Sequence, residues 1–361
     1  MKALFALEDG SIFYGKGFGA EGEAYGEAVF CTSMTGYEEA LTDPSYNGQI
    51  LIMTYPLIGN YGIHESSFQS ERIQVEGFVV MEACKIPSHH RPIKTIHEFL
   101  RDYGIPAIEG VDTRALTIKI RKYGVMKSAL ITYTNDPPNI DEVLRKTRNQ
   151  PSTSEIDLVR EVTRRNVERI DVKGNYEVVL IDCGVKKSII DALLRRGVNI
   201  TIVPANVNYE EIMDYDPDGV VISNGPGDPA YIRYVIETVE KLIGKLPMLG
   251  ICLGHQLLAL ASGAKTYKMK FGHRGSNHPV KDLITNRVYI TSQNHGFAVE
   301  PSSLDGTGFK ISSINVNDRT VEGLIHRELP IISTQYHPEG HSGPRDAEYV
   351  FDLFLNWLRE Y

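Results

Sequence analysis

The sequence predicts an α/β protein of two domains: a β-rich α+β domain over residues 1–135, a linker over 136–175, and a domain over 176–361 whose mostly parallel sheet is covered by helices on both faces. Three observations carry this. Short β segments punctuated by glycine dominate the first third. Apolar density then falls and charge rises between Asn135 and Asn175. Beyond that point strand, helix and strand alternate, and each crossover helix returns the chain to begin a parallel neighbour.

In the first domain "ALFALEDGSIFYGKGFG", "QILIMTYPLIG" and "RIQVEGFVVMEA" read as strands. Two helices interrupt them. Ile96, Phe99, Leu100 and Tyr103 recur at helical spacing in "IKTIHEFLRDYG", and "DTRALTIKIRKYG" offers Asp112 as an N-cap with glycine at its far end. The polar, glycine-punctuated "TSMTGYEEALTDPSYNGQ" reads as a surface loop, functional only if it reaches the second domain. The linker passes through "NDPPN", "NQPSTSE" and "REVTRRNVERIDVKGN" and has room for short helices.

The second domain offers the strands "YEVVLIDCG", "VNITIVPAN", "DGVVISNG" and "LPMLGIC". Its helices are "VKKSIIDALLRRG", residues 229–244 and "LGHQLLALASG". The helix at 229–244 sets Ile232, Val235, Ile236, Val239 and Ile243 on one side, as covering a sheet requires. The last helix, "RDAEYVFDLFLNWLREY", buries Val350, Phe351, Phe354 and Trp357.

With 42% hydrophobic and 23% charged residues the chain has the composition of a globular protein, and its net charge of −8 argues against a broad nucleic-acid footprint. No stretch is long and apolar enough to span a bilayer, and acidic residues come too early for a signal peptide. Cys31, Cys84, Cys183 and Cys252 are scattered without a CxxC pair, unlike a disulfide framework or zinc ribbon. A cytoplasmic protein is expected, with three of its cysteines packed as small core residues.

Cys252 is the exception. In "LGICLGHQ" an apolar strand turns through glycine into a cysteine that opens a helix. Unpaired N–H groups at a helix start favour a thiolate, and flanking glycines let a substrate carbonyl approach the backbone. In an open parallel sheet the loops at the strands' carboxyl ends meet in one crevice. The strand "PIIS" runs out at His337-Pro338-Glu339, so a histidine within reach of the cysteine and a carboxylate behind the imidazole are both available there. Gly225 and Gly227 of "ISNGPGDP" leave another strand end and can present N–H groups to an oxyanion or a carboxylate. No Gly-Lys-Ser/Thr follows, which excludes a nucleotide P-loop. "SQNHGFAV" supplies Asn294, Gly296 and Phe297, with His295 either structural or functional. His273 and His278 in "FGHRGSNHP" have no third ligand nearby in sequence, so no metal site is expected.

The elbow around Cys252, the HPE segment and the GPGDP loop make the second domain similar to class I glutamine amidotransferases. "FCTSMTGYEEALTDPSYNGQI", "TYPLIGNYG", "GVDTRALTIKIRKYG", "IDCGVKKSII" and "FGHRGSNHPV" extend the resemblance, from near Gly10 to His341, to the small-subunit family of carbamoyl-phosphate synthetases. The resemblance implies Cys252 as nucleophile, His337 as general base and later acid, and Glu339 orienting His337. It also implies that glutamine is held by Ser45, Gly225, Gly227, Leu253, Gln256, Asn294, Gly296 and Phe297, with the Leu253 backbone serving the oxyanion. The activity implied is glutamine hydrolysis that delivers ammonia to a large synthetase subunit, which makes carbamoyl phosphate from bicarbonate with ATP and Mg for arginine and pyrimidine biosynthesis. This chain would carry no cofactor of its own and bind neither nucleic acid nor membrane. "KIPSHHRPIKT" departs from the family by its shortness and lack of a Ser-Asn pair. Three alternatives stand beside this reading: another glutamine amidotransferase component, a non-catalytic scaffold, or a free-standing cysteine hydrolase.

Overall fold

The computed structural model describes residues 1–89 and 92–360, which divide into two compact units, Met1–Ile156 and Asp157–Tyr361. His90 and Arg91 of "KIPSHHRPIKT", and the final tyrosine, lie outside the described residues. No described helix is long and apolar enough to cross a membrane.

The strands of the first unit are β1 (Lys2–Leu7), β2 (Ile12–Gly19), β3 (Gly22–Cys31), β4 (Gln49–Met53), β5 (Leu57–Ile58), β6 (Gly77–Val79), β7 (Glu82–Ala83), β8 (Pro106–Glu109) and β9 (Met126–Tyr133). Seven of them close into a barrel in the order β1-β2-β8-β6-β4-β3-β9, while β5 and β7 form a separate pair. Closure removes the exposed edges an open sheet would leave. The polar stretch around Ser45 is not the expected surface loop. It folds as α1 (Tyr37–Thr42) and a 3₁₀ turn over Pro44–Tyr46, where Tyr37, Leu41 and Tyr46 join the core and Asp43 accepts from the Ser45 N–H at 3.0 Å. The two expected helices are present. α2 (Ile96–Asp102) carries a Thr95/Glu98 capping box, and α3 (Thr113–Tyr123) is capped by the Asp112 side chain.

The expected linker is structured and divided between the units. α4 (Ile140–Asn149) packs Val143 into the cluster of Leu4, Ala6, Ala129 and Ile131, so it belongs to the barrel. In α5 (Val159–Val162), Val159 enters the core of the second unit, and β10 (Glu168–Ile170) adds antiparallel to its sheet. Low apolar density here reflects elements that bury one narrow face, not free chain.

The remaining strands are β11 (Tyr176–Asp182), β12 (Val198–Pro204), β13 (Gly219–Ile222), β14 (Met248–Ile251), β15 (Thr266–Asp282), β16 (Val288–Val299), β17 (Phe309–Asn315), β18 (Val321–His326) and β19 (Ile331–Thr334). With β10 they build one sheet in the order β10-β12-β11-β13-β14-β19-β18-β17-β15-β16. It is mixed, not mostly parallel. β12, β11, β13, β14 and β19 are parallel neighbours, whereas the β19-β18-β17-β15-β16 half is antiparallel throughout. Between Thr266 and Thr334 the chain forms no α-helix to serve as a crossover, so these strands can only return on their neighbours.

Helices cover the parallel half. α6 (Lys187–Leu194) and α10 (Tyr349–Glu360) pack on one face, against Val178, Leu180, Val221 and Leu249. α8 (Arg233–Leu242) and α9 (Leu253–Ala261) cover the other, against Val179, Ile181, Val220 and Ile222; the short α7 (Tyr209–Met213) joins them through Ile212. In α10, Val350, Phe351 and Phe354 are buried, and Trp357 is only partly so.

Candidate active site

Register decides which strand ends meet. β14 and β19 run side by side with Ile251 opposite Thr334, so Cys252 leaves the sheet next to the segment that continues to His337. The Cys252 N–H donates to the Thr334 carbonyl at 2.8 Å, and the His337 N–H to Ser292 of β16 at 2.9 Å. Cys252 itself has φ 56° and ψ −101°, a conformation that costs a non-glycine residue about 1–3 kcal/mol unless its surroundings enforce it. They do so by close packing. A Cβ on Gly254 would lie 2.2 Å from the Ile222 carbonyl oxygen, and one on Gly250 would lie 2.6 Å from that of Gly254. Helix α9 can therefore begin directly against β13 and β14.

His337 and Glu339 are both buried, with Nδ1 of the ring 2.8 Å from Glu339 Oε1. Burial opposes charge on the ring, but the Glu339 carboxylate outweighs it, and the Cys252 thiol acts on the ring in the same direction as a hydrogen-bonding neighbour. The imidazole is accordingly held well above its ordinary pKa. Among the described residues its Nε2 has no hydrogen-bond partner. Glu339 is shifted the other way: burial would raise its carboxyl, but Lys186 and His337 bring it below the usual carboxylate range.

Sequence reasoning missed Lys186. This buried lysine donates to Glu339 Oε1 at 2.9 Å and to the carbonyls of Gly340 and His341 at 3.1 and 2.7 Å. Its backbone N–H donates to Asn224 Oδ1 at 3.1 Å, tying it to the GPGDP strand end. Gln335 was missed too. Its Nε2 lies 3.7 Å from Cys252 Sγ, and its Oε1 accepts from Gln256 at 2.9 Å. Lys186 follows the strand "YEVVLIDCG" and Gln335 lies between "PIIS" and the HPE segment, and their place just past strand ends was the available signal.

Several other expected residues gather here. Cys252 Sγ is 3.5 Å from the Asn294 carbonyl, and Gln256 Nε2 donates to the Phe297 carbonyl at 2.8 Å. Gly225 leaves no room for a side chain, since a Cβ would lie 2.1 Å from the Cys183 carbonyl oxygen and 2.8 Å from the Leu253 side chain. Gly227 has φ 86°, and Gly296 sits beside Arg274. Ser45 belongs to the first unit. Of the remaining cysteines, Cys31 and Cys183 are buried as expected, whereas Cys84 is half-buried rather than in the core.

His273 and His278 do have acidic and imidazole company after all, from strands distant in sequence. Ring or carboxylate atoms of His273, His295 and Glu322 lie within 4.8 Å of one another. Those atoms have polar neighbours of their own: His273 pairs with Asp318 and Glu322, while the His295 ring lies between Gln293 Oε1 and the Phe297 carbonyl oxygen and, kept neutral by burial, donates to one of the two.

A model of class-I glutamine amidotransferases matches residues 179–357, and a model of the carbamoyl-phosphate synthase small chain CPSase domain matches residues 5–130. The chain is 56% identical over 361 residues to the carbamoyl phosphate synthase small chain of Archaeoglobus fulgidus, covering all of both. It is 54% identical over 362 residues to that of Methanopyrus kandleri, again covering both fully. With that of Methanosarcina mazei it shares 52% over 359 residues, 97% of each chain.

Proposed function

The chain belongs to the carbamoyl phosphate synthase small chain family, the glutamine-hydrolysing part of that synthase, and from this we propose that Cys252, His337 and Glu339 perform the hydrolysis through a thioester. The observation carrying this is a buried imidazole held on Nδ1 by a carboxylate, with Nε2 left unspent beside a thiol on a strained strand-to-helix turn. The Cys252 thiol gives its proton to His337 Nε2, where Glu339 stabilises the resulting imidazolium. Sulfur attacks the side-chain amide carbon of glutamine. The N–H groups of Gly254, His255 and Gln256 already donate within the chain, and the Leu253 N–H, at the first position of α9, donates to the oxyanion. His337 then protonates the departing nitrogen, the C–N bond breaks, and ammonia leaves a glutamyl thioester. Water, deprotonated by the same ring, adds to the thioester; the C–S bond breaks and glutamate is released.

Gly225, Gly227, Gln256, Asn294, Gly296 and Phe297 are proposed to hold the substrate, and Ser45 is added on the resemblance alone. Ammonia loses its nucleophilic lone pair once protonated in bulk water, so it passes by a sheltered route to a large synthetase subunit. That partner holds the ATP and Mg and makes carbamoyl phosphate for arginine and pyrimidine synthesis. The pair works in the cytoplasm, and this chain needs no cofactor. Cys252→Ser in the assembled synthase tests the reading. Glutamine-dependent synthesis should vanish while synthesis from added ammonia continues; equal loss of both would sink the assignment.

A further inference from the structure

Behind the nucleophile runs a chain of buried polar groups that the hydrolysis does not use. Glu322 of β18 is fully buried and accepts at Oε1 from Asn315 Nδ2 at 3.2 Å and from Thr320 Oγ1 at 3.4 Å. The same oxygen is 3.3 Å from His273 Nδ1, and His273 reaches the half-exposed Asp318 through Nε2 at 2.8 Å. The other oxygen, Oε2, accepts from Gln293 Nε2 at 2.8 Å. Gln293 Oε1 lies 2.7 Å from His295 Nε2, and His295 Nδ1 lies 2.8 Å from the Phe297 carbonyl. That carbonyl is where Gln256 of the nucleophile's helix also donates. Gln256 in turn bonds Gln335, whose amide rests against the Cys252 sulfur.

The carboxylate is thus joined through two side chains to the backbone of residues 293–297, the stretch that carries the proposed glutamine ligands. The register of β15 on β16 shifts between Lys268 and His273 and again between Gly275 and His278. Ladder hydrogen bonds therefore hold this stretch less regularly than they hold a normal strand, and side chains must do part of the holding. A carboxyl group is suited to the task because its two oxygens accept from several donors at one buried point, here Asn315, Thr320 and Gln293.

We propose that Glu322 is a positioning residue for the glutamine site: through Gln293 and His295 it fixes the Phe297 carbonyl and the 293–297 segment against the nucleophile. The inference rests on the reading of Cys252 as a glutaminase nucleophile. Glu322 touches neither substrate nor sulfur, so its loss shows in binding more than in turnover.

The test uses the complete small chain assembled with its synthetase partner. Glu322→Met keeps the shape and removes both acceptors, and KM for glutamine should rise at least about tenfold with kcat within about threefold, the size expected when a buried bonding partner is lost. Glu322→Gln can still present an oxygen to Gln293 Nε2 and should bring KM back to within about threefold of wild type. Gln293→Leu breaks the same chain one step later, so it should match Glu322→Met, and the double variant should cost no more than the worse single change. Ammonia-dependent synthesis should be the same in all four. If Glu322→Met fails to fold, Gln293→Leu with its own KM and kcat decides. Unchanged KM in a folded variant, additive effects in the double variant, or a fall confined to kcat would overturn the proposal. So would zinc-dependent stabilisation of the wild type that Glu322→Met abolishes, since it would make the cluster a metal site. A wild-type complex that does not hydrolyse glutamine would instead remove the glutaminase reading, and this one with it.

Discussion

Replacing Glu339 by glutamine separates what the buried carboxylate does for the fold from what it does for the reaction. Its Oε1 meets two groups at once, the Lys186 ammonium at 2.9 Å and Nδ1 of the His337 ring at 2.8 Å. At 2.9 Å and an effective dielectric of about 20, the attraction to Lys186 alone is about 6 kcal/mol before desolvation is counted. Breaking such a pair by removing one partner costs about 3–5 kcal/mol, because a buried charge is left uncompensated. For a unit of this size, at about 2–4 °C per kcal/mol, Glu339→Gln should lower the melting temperature by about 6–20 °C. Glutamine-dependent turnover should fall by about 10²–10⁴-fold, since the imidazolium formed when the thiol gives up its proton would face Lys186 without a counter-charge. Calorimetry and glutamate release, with ammonia-dependent synthesis as control, measure the two losses. The double variant Lys186→Met/Glu339→Gln removes the stranded cation and should recover most of the stability but none of the glutamine turnover. Turnover within tenfold of wild type in Glu339→Gln, or recovery of both properties together, would refute this division.

Three more outcomes follow from the geometry. Gly254→Ala puts a Cβ 2.2 Å from the Ile222 carbonyl oxygen and must push α9 off the sheet; glutamine turnover should drop about 10²-fold, as a displacement of about 1 Å can cause, and near-normal turnover would contradict the packing argument. His255 is buried, and burial lowers its pKa to about 3 against 6.5 for the free ring. As pH falls from 6.5 toward 3 the unfolded chain takes up a proton the folded one refuses, so stability declines by up to about 1.4 kcal/mol per pH unit from this group. Urea titrations between pH 7 and 4.5 should show a flatter slope in His255→Gln, and an unchanged slope would count against the assignment. A glutamine-like electrophile should label Cys252 and spare Cys183, whose thiol is pushed up by complete burial; an unmodified Cys252 in the assembled synthase would favour a scaffold over an enzyme.

The parts of the site that could be read from the chain are those whose geometry is local. A glycine on each side of the Cys252 turn, a histidine two residues from a carboxylate and a glycine pair closing a strand are short-range patterns. Lys186 lies some 150 residues from Glu339 in the chain, and no local rule joins a lysine after one strand to a carboxylate after another. The pairing becomes visible only when β11, β13, β14 and β19 take their order in the sheet. The same limit applies to His273, His295 and Glu322, which look unrelated along the chain because three different strands carry them.

The α/β class, the two-part organisation, the helices whose apolar spacing and caps are local, and the glycine-flanked turn at Cys252 were all legible along the chain. Tertiary structure decided the closure of the barrel, the antiparallel half of the second sheet, the division of residues 136–175 between the units, and the buried cation behind the histidine. The physical reason is that periodicity and capping report on neighbours a few residues away. Strand order, register and the pairing of buried charges depend instead on contacts between residues far apart in the chain, which become favourable only once water has been excluded from both.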